Sequence, residues 1–265
     1  MNDLTLPEKP FAVGNTAELY DWQPGWVLKL FKDRFTRGAV EYEWRIHQAV
    51  QQAGIPVPKV GKQIIEMADR FGLLYEKVDG QPMARVLEKH PWRLFAYARK
   101  LAALHARMHA APMQADGIPD IKERTAWKIS HSSGLTEEVR QAALQALEQM
   151  PDGDRLCHGD FHVENVLVDG DDFFIIDWVD AAIGSPMADV ARTSIILLGA
   201  AAGLPKFLGA LLRLIHQIYL RQYARLSPFD QAEYQHWLPI VAAGRMSEGI
   251  DGSQAWLAAQ AARVL

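Results

Sequence analysis

The sequence predicts an α+β chain of two lobes, a small β-rich N-terminal lobe and a larger, mostly helical C-terminal lobe. Three observations carry this reading. Up to residue 79, short apolar runs separated by turn residues surround a single helical stretch. From residue 80 onward apolar residues recur mostly at helical spacing. One β-hairpin pattern, near residues 166–176, interrupts that helical half. The lobes are therefore 1–79 and 80–265, joined near Asp79-Gly80, and a ligand cleft at such a joint is the default expectation.

The elements follow in order. Phe11 to Val13 is short and apolar, and Gly14-Asn15 breaks it. Ala17 to Tyr20 and Trp26 to Phe31 flank Pro24-Gly25, a hairpin signal. Val40 to Gln52 has helical spacing, with Val40, Trp44, His47 and Val50 on one face and Gly54 as its stop. Ile55-Pro56-Val57-Pro58 is extended, because prolines and the residues before them avoid the helical region. Val60 to Ile65 and Phe71 to Val78 read as two more strands. In the second lobe, Trp92 to Met108 is an amphipathic helix with Phe95, Ala98, Leu101, Ala102, His105 and Met108 on its apolar stripe. Thr136 caps a further helix whose Glu137-Glu138 suit the positive end of its dipole. Val166 to Val168 and Phe173 to Ile176, joined by Asp169-Gly170-Asp171-Asp172, make the hairpin. Helices resume at Ala188, with breaks near Gly203-Leu204-Pro205 and Ser227-Pro228.

Composition narrows the function. Of 265 residues, 49% are hydrophobic and 23% charged, the balance of an ordinary globular chain. The net charge of −4 argues against a nucleic-acid partner, which would call for a basic face. The longest apolar run, Ile195 to Pro205, falls short of the roughly 20 residues that cross a bilayer, so no membrane partner is expected. The start has neither a basic nor an apolar leader segment, and Cys157 is the single cysteine; both suit a cytoplasmic protein. Nothing fixes the oligomeric state.

Acidic residues are concentrated. Residues 151–190 hold ten acids and one base, Arg155. Asp169, Asp171 and Asp172 read as turn residues in water, whereas Asp160 and Asp177 are flanked by Phe161 and by Ile175, Ile176 and Trp178. Carboxylates at the ends of apolar strands repel one another unless a cation lies between them, and oxygen ligands suit a hard divalent metal.

The stretch His158-Gly159-Asp160-Phe161-His162-Val163-Glu164-Asn165, followed by Ile176-Asp177-Trp178, is the most informative. Asn165 enters the first hairpin strand and Asp177 leaves the second, so the hairpin draws the two together with Asp160. Phosphoryl transfer needs such a set: a carboxylate to orient the attacking hydroxyl, and an Asn and an Asp to hold Mg²⁺ on nucleotide phosphates.

This H-G-D-x-x-x-x-N and I-D-W pair, with Gly184-Ser185-Pro186 and Asp189 beyond it, resembles the aminoglycoside phosphotransferase and choline kinase-like family, relatives of the protein kinases. The resemblance implies a two-lobed protein kinase-like fold. It makes Asp160 the catalytic base, Asn165 and Asp177 the metal ligands, and ATP with Mg²⁺ (or Mn²⁺ in its place) the cofactors. Gly14, Asn15 and Thr16 correspond to the nucleotide-covering turn. Lys29, inside the apolar strand Val27 to Phe31, becomes the phosphate ligand. Its ion-pair partner should come from the next helix, where Glu41 and Glu43 both qualify; Glu43 is preferred for its place thirteen residues before Pro56 of the family-like G-I-P-V-P. Leu73 to Gly80, with Glu76 and Val78, resembles the inter-lobe linker whose backbone meets adenine. The likeness weakens after Arg192.

The resemblance implies transfer of the γ-phosphate of ATP to a hydroxyl of a small polar partner such as an aminoglycoside, an amino alcohol or a sugar. Asp180, Glu248 and Asp251 would face that acceptor and would favour a cationic one. Two other readings exist. A metal-dependent hydrolase could use His158, Asp160 and His162, with His105 and His109 at i,i+4, but would have no use for Lys29 and Asn165. A catalytically inactive pseudokinase would not need all four of Lys29, Asp160, Asn165 and Asp177. Only twelve residues separate Asp177 from Asp189, too few for a peptide-docking activation loop, and no phosphate-loop motif is present.

Overall fold

Alternating residues of the N-terminal third place Lys29 and a helix on the same side of one sheet. The protein is described from a computed structural model covering residues 9–14, 16–67, 69–111, 117–250 and 252–265. Strands β1 (Ala12–Val13), β2 (Ala17–Gln23), β3 (Trp26–Phe31), β4 (Val60–Met67) and β5 (Arg70–Glu76) form an antiparallel sheet in the order β1-β2-β3-β5-β4. Side chains of successive strand residues point to opposite faces. Leu28 and Leu30 of β3 accordingly pack with Tyr20 and Ile65 on one side. Phe31 packs with Ala17, Leu73 and Val40 on the other. Lys29, two residues from Phe31, shares that second side, with its ammonium 5.1 Å from the Phe31 ring centre.

Val40 belongs to helix α1 (Arg37–Gln52), which buries Val40, Glu43, Ile46, His47 and Val50. The helix starts three residues earlier than its apolar stripe, because the Thr36 hydroxyl caps it by accepting the Ala39 N–H. Gly54, at φ 74°, stands just beyond its end, where a left-handed residue is wanted. Strand β6 (Gln81–Pro82) pairs with the hairpin strands in a second sheet, and the Ile175 N–H donates to the Pro56 carbonyl at 2.8 Å. By contacts the chain forms two compact units, Met1–Pro82 with Val166–Val179, and Met83–Asn165 with Asp180–Leu265. The hairpin, an island in the helical half of the sequence, thus folds with the sheet.

The second unit is mostly helical. It contains α2 (Met83–Lys89), α3 (Leu94–Ala110), α4 (Ile121–Ser130), α5 (Glu137–Glu148) and the strand β7 (Arg155–Cys157). The hairpin strands are β8 (Val166–Asp169) and β9 (Asp172–Ile175) of the first unit; β10 (Ala182–Gly184) pairs antiparallel with β7. Then come α6 (Pro186–Gly203), α7 (Lys206–Leu226), α8 (Gln231–Arg245) and α9 (Gln254–Ala261). Thr136 caps α5 by accepting from the Val139 N–H, with Glu137 and Glu138 in the first turn.

Two elements depart from the sequence reading. Pro91–Arg93 forms a separate 3-10 turn, so α3 begins at Leu94. Its buried face runs through Leu94, Ala98, Leu101, Ala102, His105 and Met108, while Phe95 is exposed. Leu94 and Ala98 pack instead against Leu197 and Ile215, of α6 and α7. Helix α6 is buried along nearly its whole length up to Leu197. Among the described residues no helix is long and apolar enough to cross a membrane.

Candidate active site

In the sheet unit, burial forces the charges into a group. The Lys29 ammonium lies 2.7 Å from Glu43 Oε1 and 3.3 Å from Asp177 Oδ1. Glu43 is 2% exposed and also accepts the Tyr75 hydroxyl at 2.8 Å. Glu41 instead pairs with Arg37 at 3.0 Å on the outer face of α1. Burial works against the charged lysine, but Glu43 and Asp177 outweigh it and raise its pKa above the ordinary value. Asp177 holds a left-handed φ of 67°, a conformation Asp tolerates better than most residues. Its side chain is 37% exposed, so one carboxylate meets lysine while the group stays open to solvent.

A double-mutant cycle measures the Lys29–Glu43 pair. Lys29→Met leaves buried Glu43 without its cation and Glu43→Gln leaves Lys29 only the more exposed Asp177, so urea unfolding should show coupling of about 0.5–3 kcal/mol between them. Glu41→Gln should combine additively with Lys29→Met. Additivity in the first cycle, or coupling in the second, would mean that this pairing is not the one formed in solution.

In the helical unit, the turn after β7 is built around Asp160. Gly159 sits at φ 75°, and a Cβ there would lie 2.3 Å from the Asp180 carbonyl oxygen, so only glycine fits. Asn165 is buried, and its amide Nδ2 donates to the Asp160 carbonyl at 2.8 Å and to Asp160 Oδ2 at 3.1 Å. That leaves the Asn165 side-chain oxygen as its acceptor atom. The Asp160 N–H donates to His158 Nδ1 at 3.2 Å. His162 Nε2 lies 3.4 Å, Arg192 Nη2 3.6 Å and Arg245 Nη1 3.7 Å from the Asp160 carboxylate. Burial opposes the charge on Asp160, but His162 and the two guanidiniums overcome it and hold the carboxyl well below its usual range.

Helix α6 clamps this turn. Asp189 accepts the His158 N–H at 2.6 Å and the Gly159 N–H at 2.9 Å. Arg192 Nε donates to the Gly159 carbonyl, and the Thr193 hydroxyl to the Phe161 carbonyl. Asp189 also meets His105 Nε2 at 3.0 Å and His109 Nε2 at 3.3 Å. The Nδ1 atoms of these histidines meet the hydroxyls of Tyr219 and Tyr223 at 2.6 Å and 2.7 Å. The Asp189 carboxylate can only accept, so each histidine donates from Nε2, and burial keeps the tyrosine hydroxyls protonated to donate to Nδ1. Burial and the neighbouring His109 push His105 down to about 4, keeping it neutral.

His105, His109 and Asp189 are close enough together to suggest a metal group. Every ligand atom in it is already engaged in a hydrogen bond of the network, at full burial, and that suits a structural core rather than a hydrolytic metal. His158 and His162 likewise spend Nδ1 on backbone N–H groups of the turn, those of Asp160 and Glu164.

The remaining expected positions are less engaged. Gly14 donates its N–H to the Ala17 carbonyl, and the Thr16 carbonyl accepts the Lys32 N–H. Asn15 lies outside the described residues, as does Asp251. Glu76 gives its N–H to the Lys59 carbonyl and its carboxylate accepts from Lys59 Nζ at 3.0 Å; Val78 follows β5 in half-buried, irregular chain. Asp180 and Glu248 do not face solvent as spare acids. Asp180 pairs with Arg124 and Lys128, and Glu248 with Lys128, Arg192 and Arg245.

An antiparallel five-stranded sheet backed by one helix, then a His-Gly-Asp turn clamped by a buried helix, is the fold of the kinase-like phosphotransferases. The chain belongs to the phosphotransferase enzyme family, whose model matches residues 9–229. The solved aminoglycoside phosphotransferase APH(4)-Ia superposes with a TM-score of 0.68 at 17% identity, over 96% of this chain and 91% of that one. The amicoumacin kinase hAmiN, solved with AMP-PNP, Ca²⁺ and Ami, gives 0.67 at 18% identity, over 97% and 88%. A choline/ethanolamine kinase family protein from Mesorhizobium loti gives 0.63 at 16% identity, over 99% and 88%. At such identities the likeness is one of fold. The acyl-CoA dehydrogenase family member 10 of Mus musculus is 26% identical over 179 residues, 58% of this chain. The match spans only 16% of that curated relative's length.

Proposed function

We propose that this chain transfers the γ-phosphoryl group of ATP to a hydroxyl of a small polar molecule. The observation that carries the reading is the buried Lys29 ammonium shared between Glu43 and the half-open carboxylate of Asp177. A lysine kept charged by one buried glutamate is a fixed cation for nucleotide phosphates. Asp160 orients the acceptor hydroxyl and takes its proton as oxygen attacks the γ-phosphorus and the bond to the β-phosphate oxygen breaks. Asn165 steadies Asp160 through its amide. A divalent ion, Mg²⁺ in this reading and Mn²⁺ as a substitute, would be held by Asp177 and Asn165 and would neutralise phosphate charge. Gly14 to Thr16 would cover the nucleotide, and the chain from Glu76 to Val78 would meet its base. The relatives solved with AMP-PNP, or with ADP and hygromycin B, support this reading by analogy of fold. A reaction of this kind suits the cytoplasm.

Calorimetric titration of ATP tests it. Binding should need Mg²⁺ or Mn²⁺, disappear with chelator and return on adding the metal. Asp177→Ala should weaken metal-dependent binding by about tenfold or more, the loss of one charge-assisted contact. ATP binding indifferent to metal and unchanged in Asp177→Ala would overturn the assignment.

A further inference from the structure

We infer that the acceptor carries an anionic group, a carboxylate or a phosphate, beside the hydroxyl that is phosphorylated. This rests on the phosphotransfer reading and names the substrate class for the same site. Around Asp160, helices α4, α6 and α8 bring Arg124, Lys128, Arg192 and Arg245 together with Asp160, Asp180 and Glu248. Among the described residues of this group, four cations stand against three carboxylates, one positive charge over. When Asp160 takes the hydroxyl proton, the surplus becomes two. A recess of about 40 Å³ lies beside this group, lined by Arg124, Lys128, Gly159, Asp180, Arg192 and Gly244, the residue before Arg245. That is space for a few waters, or for one small anionic group.

The geometry shows where the surplus lies. Arg245 Nη1 is buried and finds no hydrogen-bond acceptor of good geometry among the described residues. Its neighbouring carboxylates stand at 3.0 Å (Glu248) and 3.7 Å (Asp160) as ion pairs only. Burial and the adjacent Arg192 push the Arg245 guanidinium down to about 10, against the opposing pull of Glu248, Asp160 and Asp180. An oxyanion held in the recess adds negative charge near it, and one that reaches Nη1 supplies the missing acceptor as well. A cationic acceptor would add to the surplus and find Asp180 and Glu248 already paired, so an amino alcohol or aminoglycoside is disfavoured here.

The test uses matched probes. Glycerate, 3-hydroxybutanoate and glycerol 3-phosphate are compared with glyceramide, 3-hydroxybutanamide, glycerol and ethanolamine. Binding is measured by calorimetry without nucleotide, and phosphorylation by product formation with Mg-ATP. At least one anionic probe should bind about tenfold to a hundredfold more tightly than its uncharged counterpart, with ethanolamine weakest. Arg245→Gln and Lys128→Gln should each remove most of that advantage, and Arg245→Lys should retain part of it. Nucleotide affinity should not move in any of the three. Anions no better than their neutral counterparts, or ethanolamine preferred, would overturn the inference. So would a loss of ATP affinity in Arg245→Gln with anion binding intact, which would assign these cations to the transferred phosphoryl group. The anion-binding comparisons are made without nucleotide and so do not depend on metal-linked binding of ATP, which lets the phosphotransfer reading stand or fall separately.

Discussion

Asp160→Asn turns over Mg-ATP with its acceptor about a hundredfold to ten-thousandfold more slowly than the unaltered protein, while binding nucleotide as before. The size is that of losing a positioned proton acceptor. Asparagine keeps the shape of Asp160 but presents no anionic oxygen to a hydroxyl. It also sets an amide nitrogen among the donors that now converge on the carboxylate, the Asn165 amide, Arg192 and Arg245. In the proposed reading nucleotide affinity rests on Lys29 and Asp177, which this change leaves in place. The depressed pKa of Asp160 adds a second expectation. A carboxyl held below its usual range is already ionised at pH 5, so turnover should show no acidic limb from this group between pH 5 and 8. Retention of more than about a tenth of the activity would remove Asp160 from the base role. An acidic limb near pH 6 that disappears in Asp160→Asn would mean that its charge is not held as the structure shows.

The parts of this site that the sequence displays are those confined to one segment. Asp160 and Asn165 are five residues apart, and a single turn between them brings the Asn165 amide onto Asp160. Lys29 is visible because a charge inside Val27 to Phe31 contradicts the apolar run around it. The choice between Glu41 and Glu43 is also contained in the helix period. Glu43 is three residues from Val40 and four from His47, both on the buried face, whereas Glu41 sits one turn from exposed Arg37. Long-range convergence leaves no such pattern. Arg124, Arg192 and Arg245 stand on three helices, and nothing local marks them as neighbours. Without them, Asp180 and Glu248 read as acids free to receive a cation. The exposed Phe95 fails for a related reason: a proline turn at Pro91–Arg93 moves the start of α3, and the facing helices select Leu94 instead. Helix α4 carries a start signal, with Asp120 accepting from the Lys122 and Glu123 N–H groups, but its short amphipathic pattern is weak.

Asp189→Asn should destabilise the protein by about 3–5 kcal/mol. Asp189 is fully buried and gathers four N–H donors, from His105, His109 and the backbone of His158 and Gly159. Hydrogen bonds to a charged group contribute about 1.5–3 kcal/mol each, and an asparagine can accept on only one of its two terminal atoms. Its amide nitrogen would face at least one donor head on. The two histidines cannot easily turn to compensate, because their Nδ1 atoms are held by Tyr219 and Tyr223. Urea unfolding measures the loss. A merely structural defect would lower stability and leave the folded fraction as active as before; a positioning role predicts more. Asp189 reaches Asp160 through the backbone of the two residues before it, so a shift of the turn misplaces the carboxylate that meets the acceptor. Turnover of the folded variant should fall by up to about a hundredfold, the size of an ångström-scale misplacement, with nucleotide affinity unchanged. Hydrogen exchange separates the two effects. The His158 and Gly159 amides should exchange faster in Asp189→Asn by more than the global loss of stability explains, while amides in α7 and α8 follow the global change alone. A variant within about 1 kcal/mol of the original, with both amides still protected, would mean that Arg192 and Thr193 hold the turn without Asp189.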